Sequence, residues 1–222
     1  MIELKAFNDK RAEIYWWISS IFIKELSEAE LEQYRSSEIR TFIEGLGDVP
    51  VLTESSDDIL RCIDKITRME DAQIQLSSDF DDLFLSSDKR SISACASSYQ
   101  NMANPASKIS ASEIISVMQS HNITLDQIQN EPADHISNIL DFLGNLIIRS
   151  NELEQQPHIE NALKEQETFI RSYLLSWMYD FREQINAKDQ FGFYAAFTRL
   201  LVSFLELDCE YLASPDTLGG NS

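Results

Sequence analysis

The sequence contains little glycine, proline or cysteine. Its 222 residues include six glycines and five prolines, which is too few for the tight turns of an all-β sandwich or barrel. The three cysteines, Cys62, Cys95 and Cys209, lie far apart and form no CxxC pair, a pattern typical of reduced cytosolic thiols. A chain of this length can bury a sizeable core without a disulfide or a metal.

Long apolar runs are also missing. The two longest apolar stretches, residues 14–23 and 200–207, are too short and too polar to span a bilayer. The N-terminus has no basic stretch followed by an apolar run and a small-residue cleavage site, so it does not look like a signal peptide. These absences predict a soluble, cytoplasmic protein.

Basic residues are outnumbered by acidic ones, 18 to 37, which gives a formal charge of −19. Binding to nucleic acid and to anionic lipid depends mainly on attraction to phosphate. The overall charge therefore disfavours both kinds of partner and favours a cationic one.

Apolar residues recur at three- and four-residue spacing through most of the chain, and no segment alternates with period two. This pattern predicts an all-α fold, a bundle of roughly ten helices. A polar, non-periodic stretch divides the chain into two helical halves. We expect an N-terminal half at 1–121, a hinge at 122–131, a C-terminal half at 132–213 and a frayed tail at 214–222.

Several helix ends carry local signals. A serine followed three residues later by glutamate, at Ser27 and again at Ser110, predicts a capping box. Gly47 is suited to ending a helix in the left-handed conformation. The segment that begins at Ser55 is expected to start the following helix, and Pro132 is expected in the first turn of another.

No motif for catalysis, cofactor binding or metal binding is present. The chain has only three histidines, at 121, 135 and 158, and lacks a Gly-x-Ser-x-Gly turn, a GxGxxG motif and a P-loop. Asp134-His135 reverses the His-Asp order of one class of metal hydrolases, and Asp79-Phe-Asp-Asp82 lacks the glycine of a calcium loop. We therefore predict no catalytic residue, no cofactor and no metal ligand.

Two segments have both a structural and a functional interpretation. In residues 130–135, Asn130 or Glu131 could cap a helix, and Asp134 could favour its N-terminus. The same segment places two carboxylates and an imidazole beside the predicted hinge, where they could receive a cationic peptide. The second segment, residues 191–197, has aromatic side chains at helical spacing that suit a core, while Gly192 permits close helix contact.

Taken together, the segments resemble the TorD-type chaperones, which mature molybdenum enzymes exported by the twin-arginine route. The resemblance covers nearly the whole chain and is most specific in the second half. The matching segments are Ile14-Tyr-Trp-Trp17, Ser78-Asp-Phe-Asp-Asp-Leu-Phe-Leu85, Tyr99, Asn130-Glu-Pro-Ala-Asp-His-Ile136, Trp177 and Phe191-Gly-Phe-Tyr-Ala-Ala-Phe197. The last motifs are most similar to the branch whose client is trimethylamine-N-oxide reductase.

The resemblance implies a chaperone, not an enzyme, that binds the twin-arginine signal peptide and the apo-molybdoenzyme before cofactor insertion. It also implies two halves that can exchange between protomers, so that monomer and homodimer coexist. The leader-binding site is expected to include the following residues: Glu131, Pro132, Asp134, His135, Asp79, Asp82, Phe84 and Tyr99.

Two alternatives remain open at this point. The client could be dimethyl-sulfoxide reductase or a nitrate reductase instead. In a different class, the chain could be a helical metal-dependent enzyme.

Overall fold

The protein is all-α, as the apolar spacing predicts. The computed structural model describes residues 2–86, 91–99, 110–121 and 131–214, in which ten α-helices form and no β-strand occurs beyond one isolated bridge. The helices are α1 (Ile2–Ile23), α2 (Glu28–Tyr34), α3 (Ser37–Gly47), α4 (Thr53–Thr67), α5 (Ala72–Phe80), α6 (Ala111–Ser120), α7 (Ile136–Ser150), α8 (Gln156–Phe169), α9 (Ser176–Lys188) and α10 (Phe193–Ala213).

Three helical turns differ from α-helical geometry, two of them wider and one tighter. A π-helical turn, Asp81–Leu85, extends α5, and a second one, Ile170–Leu175, joins α8 to α9 without a loop. A short 3₁₀ turn occupies Ala96–Ser98. None of the helices in the described ranges is both long and apolar enough to cross a membrane.

Both predicted capping boxes are confirmed. At the start of α2, the Ser27 hydroxyl accepts the Glu30 backbone N–H and the Glu30 carboxylate accepts the Ser27 backbone N–H at 2.8 Å. Ser110 and Glu113 make the same reciprocal pair before α6. Each box satisfies two of the backbone donors that a helix N-terminus leaves without an intrahelical partner.

The predicted start of α4 and the predicted form of the α3 terminus are wrong. Helix α3 ends at Gly47, but Asp48 follows in the ordinary right-handed region, and within the described residues the only glycine with positive φ is Gly192. Helix α4 begins at Thr53, two residues before Ser55, with Leu52 as its cap residue and no side-chain capping bond. The Thr53 hydroxyl donates to the Gly47 carbonyl at 2.8 Å. That bond closes the short turn between the two helices.

Helix α7 also begins later than the sequence suggests. It starts at Ile136 with His135 as its cap, so Pro132 precedes the helix rather than occupying its first turn. The Asn138 side chain donates to the Pro132 carbonyl at 2.8 Å and thereby holds the turn before the helix. Of the two proposed caps, Glu131 does not serve and Asn130 lies outside the described residues.

The chain forms two compact units, each assembled from separated segments. Unit 1 comprises residues 1–23, 94–178 and 205–222, and unit 2 comprises 24–93 and 179–204. Each unit thus combines segments from both sides of residues 122–131, the polar stretch that predicts a hinge between two halves. Residues 122–130 lie outside the described ranges, so the hinge stays a prediction, and so does the frayed tail, of which only Ser214 is described.

In unit 1, α1 packs along α7 and carries a buried polar network. Arg11, which is 1% exposed, forms two hydrogen bonds to the Asp208 carboxylate, at 2.6 and 2.9 Å. The Tyr15 hydroxyl donates to the same carboxylate at 2.7 Å, and Gln166 of α8 accepts from Arg11 at 3.0 Å. The network ties α1 to α8 and to the end of α10.

In unit 2, α3 packs on α4, and the first half of α10 supplies aromatic core residues. Tyr34 of α2 meets Phe193 and Phe197 edge-on, with ring centroids 5.8 and 6.1 Å apart. Arg199 of α10 donates two hydrogen bonds to Asp58 of α4, at 3.0 and 2.7 Å. The aromatic spacing of residues 191–197 therefore serves the core.

Candidate peptide-binding site

The predicted site residues fall into two groups, one in each unit. Unit 1 contains Tyr99, Glu131, Pro132, Asp134 and His135, and unit 2 contains Asp79, Asp82 and Phe84. All eight residues lie in the described ranges.

Asp134 fastens the segment around residue 96 to the turn before α7. Its carboxylate accepts the Ser97 backbone N–H at 3.0 Å, and its backbone carbonyl accepts the Ala96 N–H at 2.9 Å. The side chain is buried, with 2% of its surface exposed. Asp134 therefore holds two backbone donors in place. The local sequence does not predict this role, because Ser97 lies 37 residues away.

His135 extends the same connection and caps α7. Its Nδ1 accepts the Ser137 backbone N–H at 3.3 Å and lies 2.6 Å from the Ser137 hydroxyl. An antiparallel bridge pairs His135 with Cys95, supported by the Ile136 N–H donating to the Ala94 carbonyl at 2.8 Å. Burial lowers the pKa of His135 to about 4, against the opposing effect of the Asp134 charge. The imidazole is therefore neutral at physiological pH.

The exposed part of this group consists of Glu131 and Pro132, with Tyr99 partly exposed. The Tyr99 ring packs against the Trp177 ring of α9, with centroids 5.1 Å apart. Unit 1 thus presents the Glu131 carboxylate in one segment and the partly exposed Tyr99 ring in another. The hydrogen bonds of Asp134 and the bridge at His135 hold these two segments together. A carboxylate beside an apolar surface is what a peptide with arginine and apolar residues requires.

In unit 2, Asp79 and Asp82 line a cavity of about 610 Å³, together with Gln75, Leu83, Ser86, Ala187, Lys188 and Gln190. Asp79 accepts the Phe191 backbone N–H, while its second oxygen is buried without a hydrogen-bond partner. Burial, aided by the charges of Asp189 and Asp82, raises the pKa of Asp79 to about 6. Asp82 is exposed and is the more accessible carboxylate of the two.

Phe84 belongs to an aromatic cluster in unit 2. Its ring contacts Phe80 at 5.0 Å and Tyr194 at 5.6 Å between centroids. The side chain is only partly exposed, so the structure assigns Phe84 a packing role and leaves peptide contact as a prediction.

Sequence reasoning missed Asp189, which organises the start of α10. Its carboxylate accepts the backbone N–H groups of Gly192 and Ala195, both at 2.7 Å. Gly192 has φ +93°, which favours glycine because other residues are strained there. An aspartate three residues before a glycine that opens a helix is the signal that could have identified this cap.

No group of three or more histidine, cysteine, aspartate or glutamate side chains in the described residues is arranged to hold a metal ion.

Comparisons with known proteins identify the family. A family model described as nitrate reductase delta subunit matches residues 49–183. The chain is 46% identical to "Chaperone protein TorD" of Vibrio parahaemolyticus serotype O3:K6, over 96% of this chain and 99% of that protein. The chain belongs to the TorD-type chaperone family.

Two further relatives carry the same name. "Chaperone protein TorD" of Aliivibrio salmonicida is 46% identical over 96% of this chain and 99% of its own length. The Vibrio cholerae El Tor protein of that name is 40% identical over 94% of each chain. The matches to these TorD-type proteins include both groups of candidate residues, whereas the family model ends before Asp189.

Proposed function

We propose that the chain is a system-specific chaperone for molybdoenzyme maturation. It binds the twin-arginine leader and the apo form of its client in the cytoplasm, keeps the client competent for cofactor insertion before export, and catalyses no reaction itself. The observation that carries the proposal is 46% identity, over almost the full length of both chains, to proteins named as chaperones. A stoichiometric metal found in the purified protein would contradict it.

We propose trimethylamine-N-oxide reductase as the client. Pull-down with the tagged chain from anaerobically grown cells, followed by identification of the co-purifying reductase, tests this assignment. Recovery of dimethyl-sulfoxide reductase or a nitrate reductase in its place would keep the chaperone function and change the client.

Within unit 1, we propose that Glu131 receives a guanidinium group of the leader. Glu131 is exposed, whereas Asp134 and His135 are buried and engaged with the backbone. Pro132 and Tyr99 provide the adjoining apolar contact, and direct contact by Asp134 stays a prediction. A charge-assisted hydrogen bond that becomes partly desolvated contributes about 1.5–3 kcal/mol, so its loss should weaken binding roughly tenfold or more.

Titration of a synthetic leader peptide into Glu131→Gln protein tests this proposal. The matched control is Glu160→Gln, which removes one exposed carboxylate of unit 1 on α8. We expect Kd to rise roughly tenfold for Glu131→Gln and to stay unchanged for Glu160→Gln. Equal affinities of the two variants would show that the leader binds elsewhere, with Asp82→Asn in unit 2 as the next variant to measure.

Asp134 is tested with two substitutions. Asparagine keeps an acceptor for the Ser97 N–H, whereas alanine leaves that partly buried donor without a partner, at a cost of about 1–3 kcal/mol. If Asp134 only positions the segment, Asp134→Asn should bind the leader like the wild type and Asp134→Ala should lose both stability and affinity. If Asp134 binds the guanidinium directly, both variants should lose affinity.

A further inference from the structure

The C-terminal half of α4 and its cap residue Arg68 form a basic surface on a strongly acidic protein. Arg61, Lys65 and Arg68 follow one another at spacings of four and three residues and line one open depression of about 550 Å³, together with Asp64 and Met69. Side chains at these spacings lie on the same face of a helix. Basic residues are favoured at a helix C-terminus, which accounts for their presence but not for the depression that they share.

Two acidic residues of α4 near this surface are already paired. Asp64, within the depression, forms an ion pair with Arg40 of α3. Asp58 binds Arg199 through two hydrogen bonds and also pairs with Arg61. Two carboxylates are thus shared among three arginines. Glu70 and Asp71 follow Met69 in sequence but do not line the depression.

Lys65 and Arg68 form no ion pair within the described residues, although Lys65 and Asp79 of α5 attract each other electrostatically. The Lys65 ammonium lies 3.7 Å from the centroid of the Phe191 ring and donates to the Phe191 carbonyl at 3.4 Å, which fixes its position. Arg68 is exposed, and its guanidinium has no hydrogen bond or ion pair within the part of the chain that the structure describes. The depression therefore combines a positioned cation with an uncompensated one.

We infer that this depression binds a short acidic protein segment. Residues 61 to 68 span about 10 Å along the helix at 1.5 Å per residue, which is the length of three or four residues of extended peptide. Carboxylates at that spacing can meet Arg61, Lys65 and Arg68 while the rest of the partner stays outside the depression. The inference stands apart from the proposed leader site, which is acidic and lies in unit 1.

A short peptide fits this surface better than a nucleic acid does. A phosphate backbone is charged along its whole length, and beyond the depression it would meet a chain with a formal charge of −19. A segment of three or four acidic residues presents its charge only where the cations lie. Screening by salt should weaken its binding, because the surface is exposed.

The test uses a fluorescein-labelled Gly-Glu-Glu-Glu-Glu-Gly peptide and the full-length chain, with anisotropy followed up to millimolar protein at low ionic strength. Each exposed ion pair is worth about a two- to fivefold change in affinity. We therefore expect Arg68→Ala to raise Kd about two- to fivefold and Lys65→Ala/Arg68→Ala to raise it about tenfold. The matched control is Lys10→Ala, which removes an exposed cation of unit 1 and should leave Kd unchanged.

Three results would overturn the inference. One is the absence of saturable binding to the acidic peptide. Another is an equal loss of affinity in Lys10→Ala and Lys65→Ala/Arg68→Ala, which would indicate net charge rather than this surface. The third is tighter binding of a twenty-nucleotide oligo(dT) that the same double substitution abolishes, which would assign the surface to nucleic acid. Circular dichroism of each variant confirms that it is folded.

Discussion

Replacing Asp208 by asparagine should destabilise the protein by about 3–5 kcal/mol, because it breaks a buried ion pair from one side. Asp208 and Arg11 are 3% and 1% exposed, and the two side chains share two hydrogen bonds of 2.6 and 2.9 Å. The Tyr15 hydroxyl adds a third bond to the same carboxylate, at 2.7 Å. No other carboxylate is hydrogen-bonded to Arg11 in the described residues.

The magnitude follows from what the substitution leaves behind. An asparagine can accept one hydrogen bond from Arg11 but carries no charge, so the guanidinium stays buried without a counter-ion. For a chain of this length, each kcal/mol lowers Tm by about 2–4 °C. The expected fall in Tm is therefore roughly 6–20 °C.

Urea unfolding followed by circular dichroism measures the free energy, and a thermal scan measures Tm. The matched control is Glu210→Gln, the same chemical change at an exposed position of α10, which should stay within about 0.5 kcal/mol of the wild type. Arg11→Met/Asp208→Leu should be more stable than Asp208→Asn, because it leaves no buried charge unpaired. A loss below about 1 kcal/mol in Asp208→Asn would refute the reasoning.

Three further predictions follow from other features. Since burial lowers the pKa of His135 to about 4, the unfolded chain binds that proton more tightly, and stability should fall as pH drops from about 6.5 to 4. Urea titrations at pH 7 and 4.5 should show a smaller fall in the free energy of unfolding for His135→Asn, which keeps a cap acceptor, than for the wild type. An equal fall in the two proteins would contradict this. Gly144→Ala should destabilise by about 1–3 kcal/mol, because its Cβ would lie 2.7 Å from Trp16 Cε2, whereas Gly45→Ala, with open space around it, should stabilise by about 0.5–1 kcal/mol; equal effects on Tm would contradict the packing argument. Light scattering should detect slowly exchanging monomer and dimer, including after partial unfolding and refolding, and a single species at every concentration would contradict the predicted exchange.

Local signals in the sequence predicted the fold well where the interacting groups are close in the chain. The capping boxes at Ser27 and Ser110 were predictable because each involves residues only three apart. The start of α4 was not, because its cap residue is Leu52, whose side chain makes no capping bond and leaves no signal in the sequence. Rules for serine caps and for glycine at helix ends describe preferences, and the short turn between α3 and α4 overrides them.

The contacts of the candidate residues were not predictable from the sequence. The sequence singled out Asp134 and His135, yet their partners Ser97 and Cys95 lie about forty residues away. No local pattern indicates that the Asp134 carboxylate accepts a hydrogen bond from a backbone N–H so distant in the sequence. The same distance hid the Arg11–Asp208 pair, whose members are 197 residues apart.

The segmented composition of the units has a consequence for synthesis of the chain. Arg11 leaves the ribosome early, but its partner Asp208 follows 197 residues later, a delay of roughly 10–40 s at 5–20 residues per second. Folding of unit 2 is delayed for the same reason, because Asp58 is synthesised 141 residues before its partner Arg199. During translation, most of the apolar face of α1 has no partner until α7 emerges. Neither unit can close before the chain is nearly finished, so the nascent chain itself is exposed to aggregation for most of its synthesis.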